Sequence, residues 1–353
     1  MTREQLNKYL ISDTTSIVEA LRKLNALSNA GLTLFVQDCN LRIIGTLTDG
    51  DIRRYLISGG NLQDVVASAM KACFCTIQLE EKNLAQKCYK YRQSKIRVVP
   101  ILNKDGALVD VLDFEKQKSK LPIDAIIMAG GKGERLRPLT LTTPKPLLRV
   151  GNKAIIDHNI DRLISYGVKH ISVTTNYLAE QLEEHYKEPH NDIQVQCVRE
   201  TTFLGTMGSV RLVKELHNDV ILVMNSDLFT NIDFEAMYLH FMEHNADMSM
   251  AVVPYDLTIP YGILETQNEL VQNILEKPTY TYYANAGIYL IKRELLELIP
   301  EGTFFNATDM IKQLIDKGYE VRYFPLNGTW IDIGSMTEYQ KANELIKHLN
   351  TIH

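Results

Sequence analysis

The chain has 353 residues, 45% hydrophobic and 23% charged, with a formal net charge of −5, as expected for a globular protein of about two domains. No run approaches the roughly 20 apolar residues that span a membrane. The start Met1-Thr-Arg-Glu-Gln-Leu-Asn-Lys-Tyr9 is charged where a signal peptide is apolar, so a cytoplasmic protein without a membrane partner is expected. Residues 1–121 hold 18 Lys+Arg and 13 Asp+Glu, net +5, which leaves 20 and 30, net −10, for the rest. No basic stripe interleaved with aromatics argues for nucleic acid. The five cysteines are an odd number without framework spacing, which implies reduced thiols. Cys73-Phe-Cys75 is too close and isolated for zinc and is expected as buried thiols.

In chain order, Ser16 to Leu27 reads as a helix with Ser16 at its N-cap and Glu19 three residues on. Leu32 to Asp49 reads as strand, turn, strand, and a helix starts at Asp49-Gly-Asp51. The rhythm returns 65 residues later: a helix at Asn83–Tyr91, then Ile96-Arg-Val-Val-Pro-Ile-Leu-Asn-Lys-Asp-Gly-Ala-Leu-Val-Asp-Val-Leu112. Two such units, about 1–60 and 61–121, are each too small for a full core and should pack on one another. Gly45-Thr-Leu-Thr48-Asp-Gly-Asp51 resembles the ligand segment of a tandem CBS-domain pair, a regulatory α+β module that often binds adenine nucleotides. The resemblance implies that Thr48 contacts phosphate and Asp51 contacts ribose hydroxyls. In the second repeat Asp110, Asp113 and Lys116 replace Gly45, Thr48 and Asp51, so one ligand site per chain is implied. A module used only for packing or dimerisation remains the alternative.

Glu115-Lys-Gln-Lys-Ser-Lys-Leu-Pro122 is charged and ends in proline, which places a domain boundary there, with residues 122–353 as the second domain. Beyond it, strands and helices alternate. Helices are expected at Ile155–Tyr166, stopped by Gly167, at Leu178–Tyr186, at Val210–Leu216 and at Met336–His348, where Ser335 and Glu338 can form a capping box. Strands are expected at Ala125–Ala129, His170–Thr175, Ile193–Val198, Asp219–Asn225, Asp247–Pro254, Gly262–Thr266, Leu270–Leu275, Ala284–Ile291 and Glu320–Phe324. This β-α-β rhythm predicts an α/β fold with a mostly parallel mixed sheet flanked by helices.

The first of these strands runs into Gly130, Gly131 and Gly133, followed by Arg135, Arg137 and Lys145. A glycine loop after a strand brings backbone N–H groups close to a ligand, and fixed cations beside it suit phosphates. The phosphate loop of ATPases needs Ser or Thr after its lysine, and Lys132 is followed by Gly133. The dinucleotide fingerprint needs Gly or Ala where Leu136 stands, which disfavours an NAD-binding oxidoreductase.

Ala129-Gly-Gly-Lys-Gly-Glu-Arg-Leu-Arg-Pro-Leu-Thr140, with Pro144-Lys145-Pro146 downstream, resembles the signature of the sugar-1-phosphate nucleotidyltransferases. That resemblance, over residues 123–340, implies a glycosyltransferase-A-like, Rossmann-like fold and transfer of a nucleoside monophosphate from an NTP to a sugar-1-phosphate. It implies that Ala129, Gly130, Gly131, Gly133, Gly205 and Thr206 hold the nucleotide. It further implies catalytic roles for Arg135 and Lys145 and Mg²⁺ on Asp227 and Asp332. Gly262, Glu276, Lys277 and Asn285 would line the sugar phosphate. The segment Leu204-Gly-Thr206 is most similar to that of guanylyltransferases, so GTP is the nucleotide favoured. Thymidylyl or uridylyl transfer, and a nucleotide-sensing regulatory protein without turnover, are the alternatives. The partners expected are the two substrates, an adenine nucleotide at the CBS pair and further copies of the chain.

Overall fold

The computed structural model describes residues 2–27, 33–81 and 83–351. Leu32, the expected start of the first strand, lies outside the described residues. The chain forms two units: Met1–Leu121 with Ser165–Gly167, and Pro122–Ile164 with Val168–His353.

In the first unit α1 (Arg3–Asn7) precedes β1 (Leu10–Ser12), α2 (Ile17–Ala26), β2 (Thr33–Gln37), β3 (Ile43–Thr48) and α3 (Asp49–Ile57). β1 pairs parallel to β2, and β2 antiparallel to β3. The order repeats in β4 (Ile77–Gln78), α4 (Leu84–Gln93), β5 (Val98–Leu102) and β6 (Leu108–Asp113). Again the first pair is parallel and the second antiparallel. The repeats share a core, in which Val98 and Leu102 join Ile17, Leu34, Phe35, Leu47 and Ile52. Ser16 occupies the N-cap of α2 but makes no side-chain cap bond. Its capping role is taken by the Asp64 and Leu62 carbonyls, which accept from Ile17 N and Val18 N. Cys73 is exposed and Cys75 half-buried, against the expectation of buried thiols, because both lie in the irregular segment between the 3₁₀ turn Val66–Ser68 and β4 rather than in a strand of the core.

The second unit is organised by β7 (Ile123–Ala129), whose seven residues are nearly all buried because strands cover both its edges and packed side chains both its faces. After it come a short ribbon, β8 (Arg149–Val150) and β9 (Lys153–Ala154), then α5 (Ile155–Ser165), β10 (Ile171–Thr175), α6 (Ala179–His185) and β11 (Val195–Arg199). β12 (Val220–Asn225), β13 (Leu228–Thr230), α7 (Phe234–Glu243) and β14 (Met248–Thr258) follow. The chain continues through β15 (Ile263–Gln267), β16 (Leu270–Leu275), β17 (Thr279–Lys292), α8 (Ala307–Asp316), β18 (Val321–Pro325), β19 (Trp330–Asp332) and α9 (Met336–Thr351). The main sheet has the order β11-β10-β7-β12-β17-β14-β18, parallel except where β17 runs against β12 and β14. The expected mostly parallel mixed sheet is therefore present.

The expected helix Val210–Leu216 is absent. Gly208–Leu212 forms a 3₁₀ turn and Val213 turns extended. Met207, Val210 and Val213 are all buried, a spacing of three that suits 3₁₀ geometry. The backbone of His217 and Asn218 then donates to Asp124 instead of to a helix, at 2.5 and 3.2 Å. β14 and β17 run past the sheet as an arm whose outer residues, Tyr255–Thr258 and Thr279–Tyr283, are exposed, and which carries the β15–β16 hairpin. Among the described residues no helix is long and apolar enough to cross a membrane.

Candidate active site

Gly130, Gly131, Lys145, Gly205, Thr206 and Asp227 line one cleft beyond the carboxyl ends of β7 and β12. This is where open α/β sheets bind ligands. Asp227 is placed by several bonds. Ser226 N donates to Met128 O at 3.1 Å, and the buried Asn159 of α5 donates its amide to Leu228 O at 2.8 Å. β13 then pairs with β19, setting Leu228 opposite Asp332, and Ile333 N donates to Asp227 O at 3.1 Å. Two carboxylates 105 positions apart in the numbering become neighbours through this two-stranded ribbon. Nothing in the local pattern of either segment announces the pairing.

The Lys145 ammonium forms an ion pair with Asp227 Oδ2, both side chains being largely buried. Gly133 helps to set that lysine: its φ is +61°, and a Cβ there would lie 3.0 Å from both Lys145 Cβ and Thr140 Cγ2. The Gly133 carbonyl in turn accepts from Thr140 Oγ1 at 2.8 Å. Ala129, the last residue of β7, is buried in the sheet and lines neither cleft. Burial, and then the charge of Asp227, push the Asp332 carboxyl above the ordinary aspartate range, while Lys145 and Arg135 act in the opposite sense. Arg135 and Asp332 line a second cleft with Trp330, Gly334 and Glu338. The Arg135 guanidinium lies so close over Gly334 that a Cβ there would come within 2.8 Å of its nitrogen.

Asp227 Oδ1 is buried and accepts no hydrogen bond among the described residues. An orphaned carboxylate oxygen with a second, half-buried carboxylate brought beside it by the β13–β19 ribbon is a donor set that suits a cation, and hard oxygen donors suit Mg²⁺. The residues thus fit the ion that the sequence implied. A different cluster, Asp124 with His170 and His217, brings its ligand atoms within 4.8 Å of one another. It sits where β7, β10 and β12 begin, at the end of the sheet away from Asp227. Asp124 is already engaged there, accepting from His217 N, Asn218 N and Asn218 Nδ2.

The remaining sequence candidates lie elsewhere. Gly262, Glu276 and Lys277 sit exposed on the β14–β17 arm and line neither cleft. Gly262 and Glu276 are neighbours, since a Cβ on Gly262 would lie 3.3 Å from Glu276 Oε2. Asn285 spends its amide on Tyr289 Oη at 2.8 Å, and its Oδ1 accepts from Gly287 N at 2.9 Å. It shapes the irregularity within β17 where Gly287, φ +72°, lets Asn225 approach. In the first unit Thr48 and Asp51 form a capping box at the start of α3, and Asp51 also pairs with Arg54 at 2.5 Å.

Sequence reasoning missed Glu200 and Phe203, which line the first cleft between the glycine loop and Gly205. Glu200 is 4% exposed, and its Oε2 accepts from Leu204 N at 3.0 Å. Burial pushes its carboxyl up, partly offset by the bonds from Leu204 and Ser209. A Cβ on Gly130 would meet Glu200 Oε1 at 2.6 Å, so the first loop glycine is needed for this close approach. The available signal was a carboxylate directly after the strand now seen as β11, before Leu204-Gly-Thr206.

A mixed sheet with a glycine loop and a carboxylate pair beyond its parallel strands is an α/β architecture for phosphorylated ligands. The chain belongs to the nucleotidyl transferase family, whose model matches residues 124–348. It is 30% identical over 224 residues to the mannose-1-phosphate guanylyltransferase catalytic subunit beta of Xenopus tropicalis, with 61% of this chain and 62% of the relative covered. It is also 30% identical over 223 residues to the same subunit of Drosophila melanogaster, covering 61% and 60%. The chain thus spans about three fifths of the length of these curated relatives. A crystal structure from Bacillus anthracis, described as a candidate glucose-1-phosphate thymidylyltransferase, superposes with a TM-score of 0.50 at 24% identity. It covers 63% of this chain and 94% of the other, and at that identity it speaks for the fold alone.

Proposed function

We propose that the second unit transfers a nucleoside monophosphate from an NTP to a sugar-1-phosphate, yielding an NDP-sugar and pyrophosphate. The observation that carries this is the gathering of Lys145, Asp227 and the glycine loop in one cleft, with Asp332 and Arg135 in the next. A phosphate oxygen of the sugar phosphate attacks the α-phosphorus in line. As the new P–O bond forms, the bond to pyrophosphate breaks and its electron pair leaves with the pyrophosphate. Lys145 neutralises charge gathering on the α-phosphate oxygens. Arg135 and the N–H groups of Gly130 and Gly131 hold the β- and γ-phosphates and stabilise the leaving charge. Asp227 and Asp332 would hold Mg²⁺, which would supply neutralisation of phosphate charge when bound. Lys277 and Glu276, on the exposed arm, meet the sugar phosphate, the first by charge and the second by accepting from hydroxyls.

GTP is the donor we favour. Guanine presents two donors, N1–H and the 2-amino group, along one edge, and the buried Glu200 carboxylate offers acceptors only. A base with an acceptor at either place would leave a buried polar group unmatched, a costly discrimination. The curated relatives named as mannose-1-phosphate guanylyltransferases support the same choice. The test is pyrophosphate release with ATP, GTP, CTP, UTP and dTTP against a panel of sugar-1-phosphates. No release with any pair, in a folded protein with Mg²⁺, would sink the transferase reading and leave a nucleotide sensor.

The first unit is read as a CBS pair that takes one adenine nucleotide at Thr48 and Asp51 and modulates the enzyme in the cytoplasm, where the five free cysteines of the whole chain stay reduced. Its twice-repeated β-α-β-β order supports this. We include self-association of the chain in the proposal, with sedimentation as its test.

A further inference from the structure

Two large aromatic rings stand out on the rim of the nucleotide cleft. Phe203 is 50% exposed and Phe304 59% exposed, although solvent-facing phenylalanine gains nothing from water. They pack edge to face on one another, centroids 5.9 Å apart at 61°. Phe203 lines the cleft beside Glu200, Gly205 and Thr206.

The two loops that carry the rings are tied together. Phe305 N donates to Leu204 O, and Met207 N and Gly208 N both donate to Phe305 O, each at 2.9 Å. Thr206 Oγ1 accepts from Ala307 N at 3.0 Å. Gly205, φ +80°, permits the contact, because a Cβ there would meet Phe305 O at 2.8 Å. The exposed rings are thus held on a fixed frame, and the Leu204 N bond to Glu200 joins the same frame to the buried carboxylate.

Resting on the nucleotide reading above, we propose that Phe203 is the stacking face for the nucleobase and that Phe304 is a positioning residue which holds that ring in place. A flat base lies on the Phe203 ring and turns its donor edge to Glu200. Every base has a π-face, so stacking contributes affinity while the carboxylate supplies the choice of base. The Phe304 ring, outside the cleft, braces the platform from its edge.

The test is steady-state kinetics with GTP and the accepted sugar-1-phosphate, alongside calorimetry of GTP binding to the full chain. Phe203→Ala is expected to raise both the GTP KM and the GTP Kd about tenfold. Its kcat and sugar-phosphate KM should stay within about twofold, and Phe203→Tyr should restore the wild-type GTP KM. Phe304→Ala should move the GTP KM the same way by less. A folded Phe203→Ala protein with wild-type GTP affinity overturns the proposal, as does a loss confined to kcat. A wild-type chain that binds GTP without turning it over ends the transferase reading, yet weaker calorimetric binding by Phe203→Ala would still uphold the platform.

Discussion

Lys145 and Asp227, 82 residues apart in the chain, form an ion pair whose two side chains are both mostly shielded from water. One comes from the turn after the glycine loop and the other from the end of β12. The lysine takes one carboxylate oxygen, and the other is buried with no hydrogen bond among the described residues.

Asp227→Asn is nearly isosteric and should leave the melting temperature little changed. Turnover should fall a hundredfold or more, from loss of about 3 kcal/mol of charge stabilisation. Near-normal turnover in Mg²⁺ by the folded variant would remove Asp227 from the metal site.

Arg135 and Lys277 should separate in kinetics. Arg135→Ala is expected to lower kcat on the order of a hundredfold, because its partner charge grows on the leaving group. Lys277→Ala should instead raise the sugar-phosphate KM. Gly334→Ala offers a finer probe: its new Cβ would lie 2.8 Å from the Arg135 guanidinium, the far end of a flexible side chain. It should fold normally and reproduce part of the Arg135→Ala loss in kcat. If all three changed the same parameter equally, the division into a pyrophosphate side and a sugar side would be wrong.

Asp157 gives a pH-dependent stability. Burial raises its carboxyl, but the bonds from His185 at 2.9 Å and Tyr186 at 2.8 Å, with the nearby histidine charges, outweigh burial and hold it below the ordinary range. A depressed folded pKa means that its contribution is present above the unfolded value, near 3.9, and is lost as pH falls through the folded one. Asp157→Asn should cost about 1.5–3 kcal/mol at pH 6. The gap between thermal melts of both proteins from pH 6 to pH 3 should begin to narrow below about pH 4; a gap unchanged at pH 3 would refute the assignment.

Asp51→Ala should have two separable effects. Without ligand it should destabilise the first unit by about 1 kcal/mol, since Asp51 completes the capping box of α3. It should also abolish binding of AMP, ADP or ATP measured by calorimetry on the full chain, and any change in substrate affinity that such binding causes. If no nucleotide competes or binds at Thr48 and Asp51 in the wild type, the capping role is the whole of their function.

Much of this was legible in the chain itself. The apolar run of β7, the glycines after it and the order of Arg135, Lys145 and Asp227 are local signals, because strand burial and turn chemistry are written in neighbouring residues. So was the internal repeat: β2 and β5, like β3 and β6, begin 65 residues apart. The helix expected at Val210–Leu216 misled because its apolar spacing suits a 3₁₀ turn as well as an α-helix, and the contest was decided by the Asp124 carboxylate, far away in sequence.

What the sequence determined by itself was therefore the class of fold and the kinds of group at the site, since composition, periodicity and glycine placement act over a few residues. Only the tertiary structure decided which groups meet. The β13–β19 ribbon set Asp332 beside Asp227, and the bond from Phe305 N to Leu204 O brought the Phe203 and Phe304 rings edge to face. The same arrangement left Glu276 and Lys277 on an exposed arm. Those outcomes depend on backbone hydrogen bonds between segments a hundred or so residues apart, and such pairings leave no mark in either segment alone.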